Sequence, residues 1–222
     1  MPVNRICRLG IVNAYLVEEE DGLTLIDALI RGSAKPILAA ASELGQPIVR
    51  IVLTHAHVDH IGALDDLAER LPDAEVSISE REEPFLRGDM SLRPDEPQDK
   101  LRGGYPGAKT KPGRTFAPGE RVGSLEVVAA PGHTPGQVAL LDVRDRTLYC
   151  ADAYHTIGGV AVPAKPYWRF PLPYFATWHR PTALETAREL RKLDAARLAP
   201  GHGKVVESPG AAMDAAIARA AG

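Results

Sequence analysis

The sequence predicts an α/β (α+β) fold, with mixed β-sheets flanked by helices. Three observations carry that expectation. Short β-branched or leucine-rich runs recur along the chain, each bounded by Gly, Pro, Asp or Asn, the pattern of buried strands. Segments with apolar residues at three-to-four spacing are interleaved with them, the pattern of helices lying on a sheet. The 222 residues, 45% apolar and 25% charged, have a globular composition and enough length to bury a layered core, which excludes a disordered or fibrous chain. One domain spanning 1–222 is expected.

The elements follow in order. Runs at 11–17 and 23–26 flank an Asp21-Gly22 turn and read as a hairpin. Ser33 is placed to cap a helix reaching Leu44, with Pro36 in its first turn and Gly45 just past its end. A strand at 48–53 precedes a helix over 61–71, whose Ile61, Leu64, Leu67, Ala68 and Leu71 share a face and which Pro72 stops. Strands are expected at 75–78, 124–129, 137–141 and 147–150. Leu184, Ala187, Leu190 and Leu193 mark a helix over 182–193, and an alanine-rich helix over 209–221 takes Ser208 as its cap. Two stretches break the pattern. Residues 87–114 hold five glycines, four prolines and seven Lys/Arg against four Asp/Glu. Residues 158–178 hold four prolines and six of the twelve aromatics. Loops this long in a compact domain are usually functional, so both read as lid or pocket loops.

Charge and cysteine usage narrow the function. The 26 Lys/Arg against 29 Asp/Glu give a net charge of −3, which argues against a polyanion-binding surface, so no nucleic acid is expected as partner. No run approaches the ~18 apolar residues of a membrane helix, and no membrane partner is expected. Arg8 and Asn13 interrupt the opening residues before they reach the length of a signal-peptide core. Cys7 and Cys150 read as two reduced, buried thiols, and a cytoplasmic location is expected.

The chain has seven histidines, three of them within Thr54-His55-Ala56-His57-Val58-Asp59-His60. Alternation over an extended backbone aims His55 and His57 the same way, Asp59 is next in that register, and His60 begins the following helix. Imidazole and carboxylate are zinc ligands, and packing four such groups together without a cation would leave buried polar groups unsatisfied. His133, Asp152 and His202 each follow an apolar run. In layered α/β folds ligands sit beyond the carboxyl ends of strands, so these residues read as loop ends aimed at one centre. Asp27, also after a strand, reads as support for a ligand or as a turn residue. His155 and His179, taken singly, read as surface or core residues. The aromatics Tyr167, Trp168 and Phe170 read either as core or as a substrate-pocket wall.

The ordered set His-x-His-x-Asp-His at 55–60, Gly-His at 132–133, Asp152 and Gly-His-Gly at 201–203 resembles the metallo-β-lactamase-fold hydrolases. Residues 13–17 and Leu25-Ile26-Asp27 are similar to that family's opening strands. The resemblance implies a four-layer αβ/βα sandwich with two divalent metal ions in the cleft, zinc first and iron or manganese as alternatives. His55, His57 and His133 resemble the ligands of one metal; Asp59, His60 and His202 those of the other; and Asp152 the bridging carboxylate. The antibiotic-degrading branch has a cysteine where this chain has Asp152, so the lactonase or glyoxalase II-like branch is the closer match. The implied activity is hydrolysis of a small ester, lactone or thioester by a metal-bridging hydroxide that Asp59 orients, with a small acyl molecule as substrate. The family's quorum-signal lactonases carry a tyrosine three residues beyond the bridging aspartate. Here His155 holds that offset and Tyr154 is one short, and both are candidates to protonate the leaving group. The alternatives are a β-lactam hydrolase and, in a different class, a mononuclear iron dioxygenase acting on a persulfide. The oligomeric state is left open, a homodimer included.

Overall fold

Strands rich in apolar residues on both faces need cover on both, and this chain supplies it by pairing two mixed sheets with helices outside each. The computed structural model describes residues 3–222, so Met1 and Pro2, on which the signal-peptide reading partly rests, lie outside the described residues. The first sheet runs β1 (Asn4–Arg8), β2 (Val12–Glu19), β3 (Gly22–Ile26), β4 (Ile48–Leu53), β5 (Glu75–Ser79) and β6 (Arg114–Phe116) in spatial order. Its first three strands are antiparallel and the rest parallel. The second contains β7 (Arg121–Val122), β8 (Leu125–Ala129), β9 (Val138–Asp142), β10 (Thr147–Ala151), β11 (Arg197–Pro200) and β12 (Val206–Glu207). Strands β7 to β10 form an antiparallel meander, β11 joins β10 in parallel, and β12 closes the edge antiparallel.

Alternation sorts side chains into three apolar layers. In β2, Ala14 and Leu16 face the layer shared with helices α1 (Ala34–Glu43), α2 (Val58–Ile61), α3 (Leu64–Arg70) and α4 (Glu83–Leu86). Tyr15 and Val17 face the opposite way, into the layer between the sheets, where they meet Phe116, Leu125, Leu140 and Tyr149. In β10, Leu148 and Cys150 face the layer under α6 (Arg180–Lys192) and α7 (Gly210–Ala221), reached after the short α5 (Leu172–Ala176). The result is the four-layer sandwich. No helix among the described residues is long and apolar enough to cross a membrane.

Several local expectations change. The helix expected over 61–71 is two pieces, α2 and α3, with a break at Gly62 and Ala63. Gly62 donates to the Leu29 carbonyl, and a Cβ there would stand 2.5 Å from the Arg31 nitrogen, so this turn is pinned to the 29–31 segment. Ser33 occupies the position before α1, but its hydroxyl makes no capping bond. Ser208 takes φ +47, and Pro209 rather than Ser208 heads α7. Helix α6 starts at Arg180, two residues early, because His179 Nδ1 accepts from the Thr182 backbone and hydroxyl and caps it. Cys150 is buried but Cys7 only half-buried, and both thiols are free.

Candidate metal centre

All seven sequence-selected ligands follow carboxyl ends of strands on one rim of the sandwich. His55 and His57 leave β4, Asp59 and His60 lie in α2, His133 follows β8, Asp152 follows β10 and His202 follows β11. The extended register expected over 55–59 ends early: β4 stops at Leu53, and Asp59 reaches the site from a helical turn. Two glycines permit the approach. Gly132 has φ +124 and lies against the Ala183 backbone in α6. Gly201 is packed so closely on Asp152 Oδ1 that a Cβ would overlap it.

The outward nitrogen of each imidazole is held by a partner that fixes its tautomer. His57 Nε2 donates to the Arg102 carbonyl (2.9 Å), and His202 Nδ1 to the Ile11 carbonyl (2.9 Å). His60 Nδ1 donates to Asp27 Oδ2 at 2.7 Å, which gives Asp27 the supporting role considered for it. Thr54 Oγ1 gives its proton to the same Asp27 and therefore accepts from His55 Nδ1 (3.1 Å). Thr177 Oγ1 gives its proton to the Pro173 carbonyl and so accepts from His133 Nδ1 (3.0 Å). The inward nitrogens, His55 Nε2, His57 Nδ1, His60 Nε2, His133 Nε2 and His202 Nε2, thereby face a shared interior, bare on His55, His57 and His133 and carrying a proton that a metal would displace on His60 and His202.

That interior fits cations. His57 Nδ1 and His133 Nε2 stand 3.0 Å apart, two bare lone pairs facing each other. His55 Nε2, His60 Nε2 and Asp152 Oδ1 are buried with no hydrogen-bond partner. Three overlapping triads bring ligand atoms within 4.8 Å of one another: His55, His57 and His133; His55, His60 and Asp152; Asp59, His60 and His202. Imidazole nitrogen with carboxylate oxygen is the donor set of zinc and other borderline divalent ions. Asp152 sits between the outer triads, its Oδ2 3.3 Å from His133 Nε2 and 3.1 Å from His202 Nε2.

The electrostatics split the imidazoles into two groups. Burial, reinforced by neighbouring imidazoles, pulls His55 well down, His57 to about 3 and His133 to about 4, so all three are neutral and ready to ligate. Burial would also lower His60 and His202, but Asp152, Asp59 and, for His60, Asp27 outweigh it. His60 is raised, and His202 is held at about 10. Asp152 stays well below the usual carboxylate range although burial opposes it, because His202, His60 and His133 surround it.

The other sequence-selected residues divide. Tyr154 is not at the site. Its ring is buried in the layer under α6, and its hydroxyl donates to the Ala187 carbonyl (2.6 Å), so it has no proton for a leaving group. Strand alternation would put Tyr154 on the same side as Asp152, but β10 ends at Ala151, whose φ is +45, and Asp152 and Ala153 form a turn that sends the two side chains apart. His155 packs behind Phe170, ring centroids 5.4 Å apart, and burial lowers it to about 4. Phe170 lines the cavity over the ligands and lies 5.5 Å from the His202 ring. Trp168 is 80% exposed and, with Tyr167, lines a separate depression beside α7, so neither forms the cavity wall. The 87–114 stretch does reach the site: Arg102 holds His57, and Gly104 accepts from the Val58 backbone.

Besides Thr177, two supports escaped the sequence reading. Glu82 is fully buried and accepts from the Ala56 nitrogen (2.9 Å), the Thr134 hydroxyl (2.6 Å) and the Gly136 nitrogen (2.8 Å). It ties the His55–His57 segment to the His133 loop, yet it stands in the charged run Glu80-Arg81-Glu82-Glu83, which reads as a solvated face. Asn13 Nδ2 donates to the Pro200 and Gly203 carbonyls (2.9 and 2.7 Å) and fixes the turn carrying His202. Its signal was legible: an amide inside an otherwise apolar strand.

A family model described as the metallo-beta-lactamase superfamily matches residues 7–202. The chain is 49% identical over 210 residues to "Uncharacterized protein YobT" of Bacillus subtilis (strain 168), covering 94% of this chain and 90% of that one. It is 30% identical over 215 residues to "Probable metallo-hydrolase YflN" of the same strain, covering 87% and 81%. Among solved structures it is similar to TTHA1623 in a di-iron-bound form, with 27% identity and a TM-score of 0.67 over 95% of this chain and 96% of that one.

Proposed function

The chain belongs to the metallo-beta-lactamase superfamily of metal-dependent hydrolases, and from that premise we propose that it is a dinuclear enzyme, zinc-loaded, that hydrolyses a small ester, lactone or thioester. The observation that carries this reading is that the outward nitrogen of all five imidazoles is held by a partner, which leaves every inward nitrogen facing one interior that Asp152 spans. Two divalent ions bound there would acidify a water and polarise an acyl carbonyl. His55, His57 and His133 would hold one ion, Asp59, His60 and His202 the other, and Asp152 both.

The chain's own residues supply position and proton handling. Asp59 lines the cavity and is held ionised by His60 and His202 against the effect of burial, so it accepts a hydrogen bond from the attacking water and orients it. Water oxygen adds to the acyl carbon, the acyl bond to the alcohol or thiol breaks, and the released proton passes to that leaving group. Phe170, Leu172 and Pro173 cover the cavity and exclude bulk water. The cavity is about 110 Å³, well below the ~300–1,000 Å³ of drug-sized ligand sites, which favours a small substrate over a bulky one. A single-iron oxygenase is the weaker reading, because one ion would leave part of the seven-ligand set without a cation.

Metal analysis of purified protein, followed by a lactone, thioester and β-lactam panel, tests the proposal. Two ions per chain with ester or lactone turnover is the expected result. A single iron with no ester turnover would overturn it. His57→Ala and Asp152→Ala should each abolish turnover and lower metal content; intact stoichiometry with unchanged rate in either variant would sink the ligand assignment.

A further inference from the structure

The two ion positions are braced by different parts of the chain. Around the second, the Ile11 carbonyl and Asn13 hold His202 and its turn, and Asp27 holds His60. Around the first, His57 is held from residues 87–113, which join α4 to β6 and contain no helix or strand. A connection without a regular ladder keeps its shape only where other parts of the molecule pin it. Trp178 Nε1 donates to the Asp99 carbonyl (3.0 Å), and the backbone nitrogens of Lys109 and Thr110 donate to the Asp65 carboxylate (3.0 and 2.8 Å).

Between those pins the chain crosses His57 and meets it at three residues. The Arg102 carbonyl accepts from Nε2. The Tyr105 ring meets the imidazole edge to face, centroids 4.6 Å apart, with Phe85 behind it at 5.4 Å. Gly103 lies so close that a Cβ would stand 2.4 Å from His57 Nε2. Gly103 and Gly104 are exposed while His57 is 3% exposed, so one thickness of chain covers this ligand.

Trp178 carries the brace to a second ligand. Its ring is buried, its backbone nitrogen donates to the His133 carbonyl (3.0 Å), and its neighbour Thr177 accepts from His133 Nδ1. His57 and His133 thus share one support. Gly104 also accepts from the Val58 nitrogen (2.9 Å) at the start of α2. That helix has ties of its own, Ala28 donating to the His60 carbonyl and Gly62 to the Leu29 carbonyl, so Asp59 and His60 keep their place without the strap.

We propose that residues 99–105 form a positioning strap for His57, with Gly103 at its closest point. The strap sets how tightly the chain holds the ion at His55, His57 and His133, and leaves the other ion position to Asp27 and the opening hairpin. The inference rests on the dinuclear reading above. A side chain at 103 would push the strap and the ring apart. His57 would then lose the carbonyl that fixes its tautomer, and with it the aim of Nδ1.

The test follows zinc uptake by metal-stripped protein against a chelating dye, resolving two binding steps. His133→Ala and His202→Ala identify which step belongs to which ligand set. Gly103→Ala should weaken the His133-linked step by about 10–100-fold, the usual cost of losing a group that orients a ligand, and leave the His202-linked step unchanged. Gly88→Ala is the control for backbone strain: Gly88 has φ +88 in the same stretch, but nothing lies within 4 Å of a Cβ there, so neither step should move. Trp178→Phe keeps a ring but loses the N–H to Asp99, and should weaken the His133-linked step severalfold. Equal weakening of both steps, no weakening in Gly103→Ala or in Trp178→Phe, or the same loss in Gly88→Ala would overturn the strap. Uptake of a single ion by the wild-type chain would instead overturn the dinuclear reading, and this inference with it.

Discussion

A buried histidine cluster without a cation has to find protons, and here they collect on one side. His202 is held at about 10 with Asp152 and Asp59 beside it, while His57 and His133 are pushed down. An unfolded imidazole titrates near ~6.5. The raised His202 therefore stabilises the metal-free fold fully below about pH 6.5, and that contribution fades as pH climbs to about 10. The depressed Asp152 works the other way, adding stability above its unfolded value and losing it as pH falls. Metal-free protein should thus lose thermal stability between pH 7 and 10. Metal binding at pH 8 should release protons from His202 and His60, because a ligating nitrogen cannot keep one. Calorimetry in two buffers of different ionisation enthalpy measures that release, and a proton count of zero would refute this charge distribution. Glu82 acts one step further out. In Glu82→Gln the amide keeps one acceptor, but its NH2 must face the N–H of Ala56 or Gly136. Metal affinity should fall by about 10–100-fold, the usual cost of losing a group that orients ligands. Competition with a chelating dye reads it, and an unchanged affinity would show that Glu82 merely fills space.

At the level of elements, the site depends on a hairpin that contributes no ligand. Strand β2 supplies Asn13, which holds the His202 turn, and the Ile11 carbonyl just before it, which holds His202 itself. Tyr15 adds a bond to the Pro200 carbonyl at 2.7 Å. Asn13→Ala removes two buried hydrogen bonds, each worth about 0.5–1.5 kcal/mol, and leaves the Pro200 carbonyl to Tyr15 and the Gly203 carbonyl to Arg5. The damage should fall first on the Asp59, His60 and His202 triad, shifting stoichiometry from two ions per chain toward one; equal loss of both ions would count against the clamp. Such long-range dependence explains what the sequence could and could not reveal. Strands β2, β3, β4, β5, β8, β9 and β10 were legible because layers on both faces demand apolar runs. Strand β1, Asn-Arg-Ile-Cys-Arg, was not, since it is only partly covered and its pattern is mixed. Strands β6, β7 and β12 are three residues or fewer and exist through pairing to neighbours rather than through their own propensity. The ligands were legible because metal chemistry demands rare residue types, each at a strand end. Glu82 and Thr177 were not, because a buried carboxylate or hydroxyl is defined by what packs around it.

The two sheets meet at the ligands, and that governs the whole molecule. His55, His57, Asp59 and His60 belong to the first sheet's rim, whereas His133, Asp152 and His202 belong to the second's. Elsewhere the sheets are joined by apolar contact, around Phe116, Leu125 and Tyr149, and by polar contacts such as Tyr15 to Pro200 and Ser124 to Glu19. An ion held from both sides is a crosslink between the halves, present only when the fold has already brought the rims together. Binding to the folded chain alone stabilises it by mass action, about 2.7 kcal/mol when free metal is a hundredfold above its dissociation constant. For a chain of this length each kcal/mol moves the midpoint by roughly 2–4 °C. Stripping the metal with a chelator should therefore lower Tm by about 5–11 °C, and adding zinc back should restore it. The same treatment of Asp152→Asn should change Tm little, because the carboxylate that spans both ion positions is gone. Scanning calorimetry distinguishes the two. If wild-type Tm did not respond to chelation and readdition, the two rims would be held by packing and hydrogen bonds alone, and the caged imidazoles would not be a metal centre.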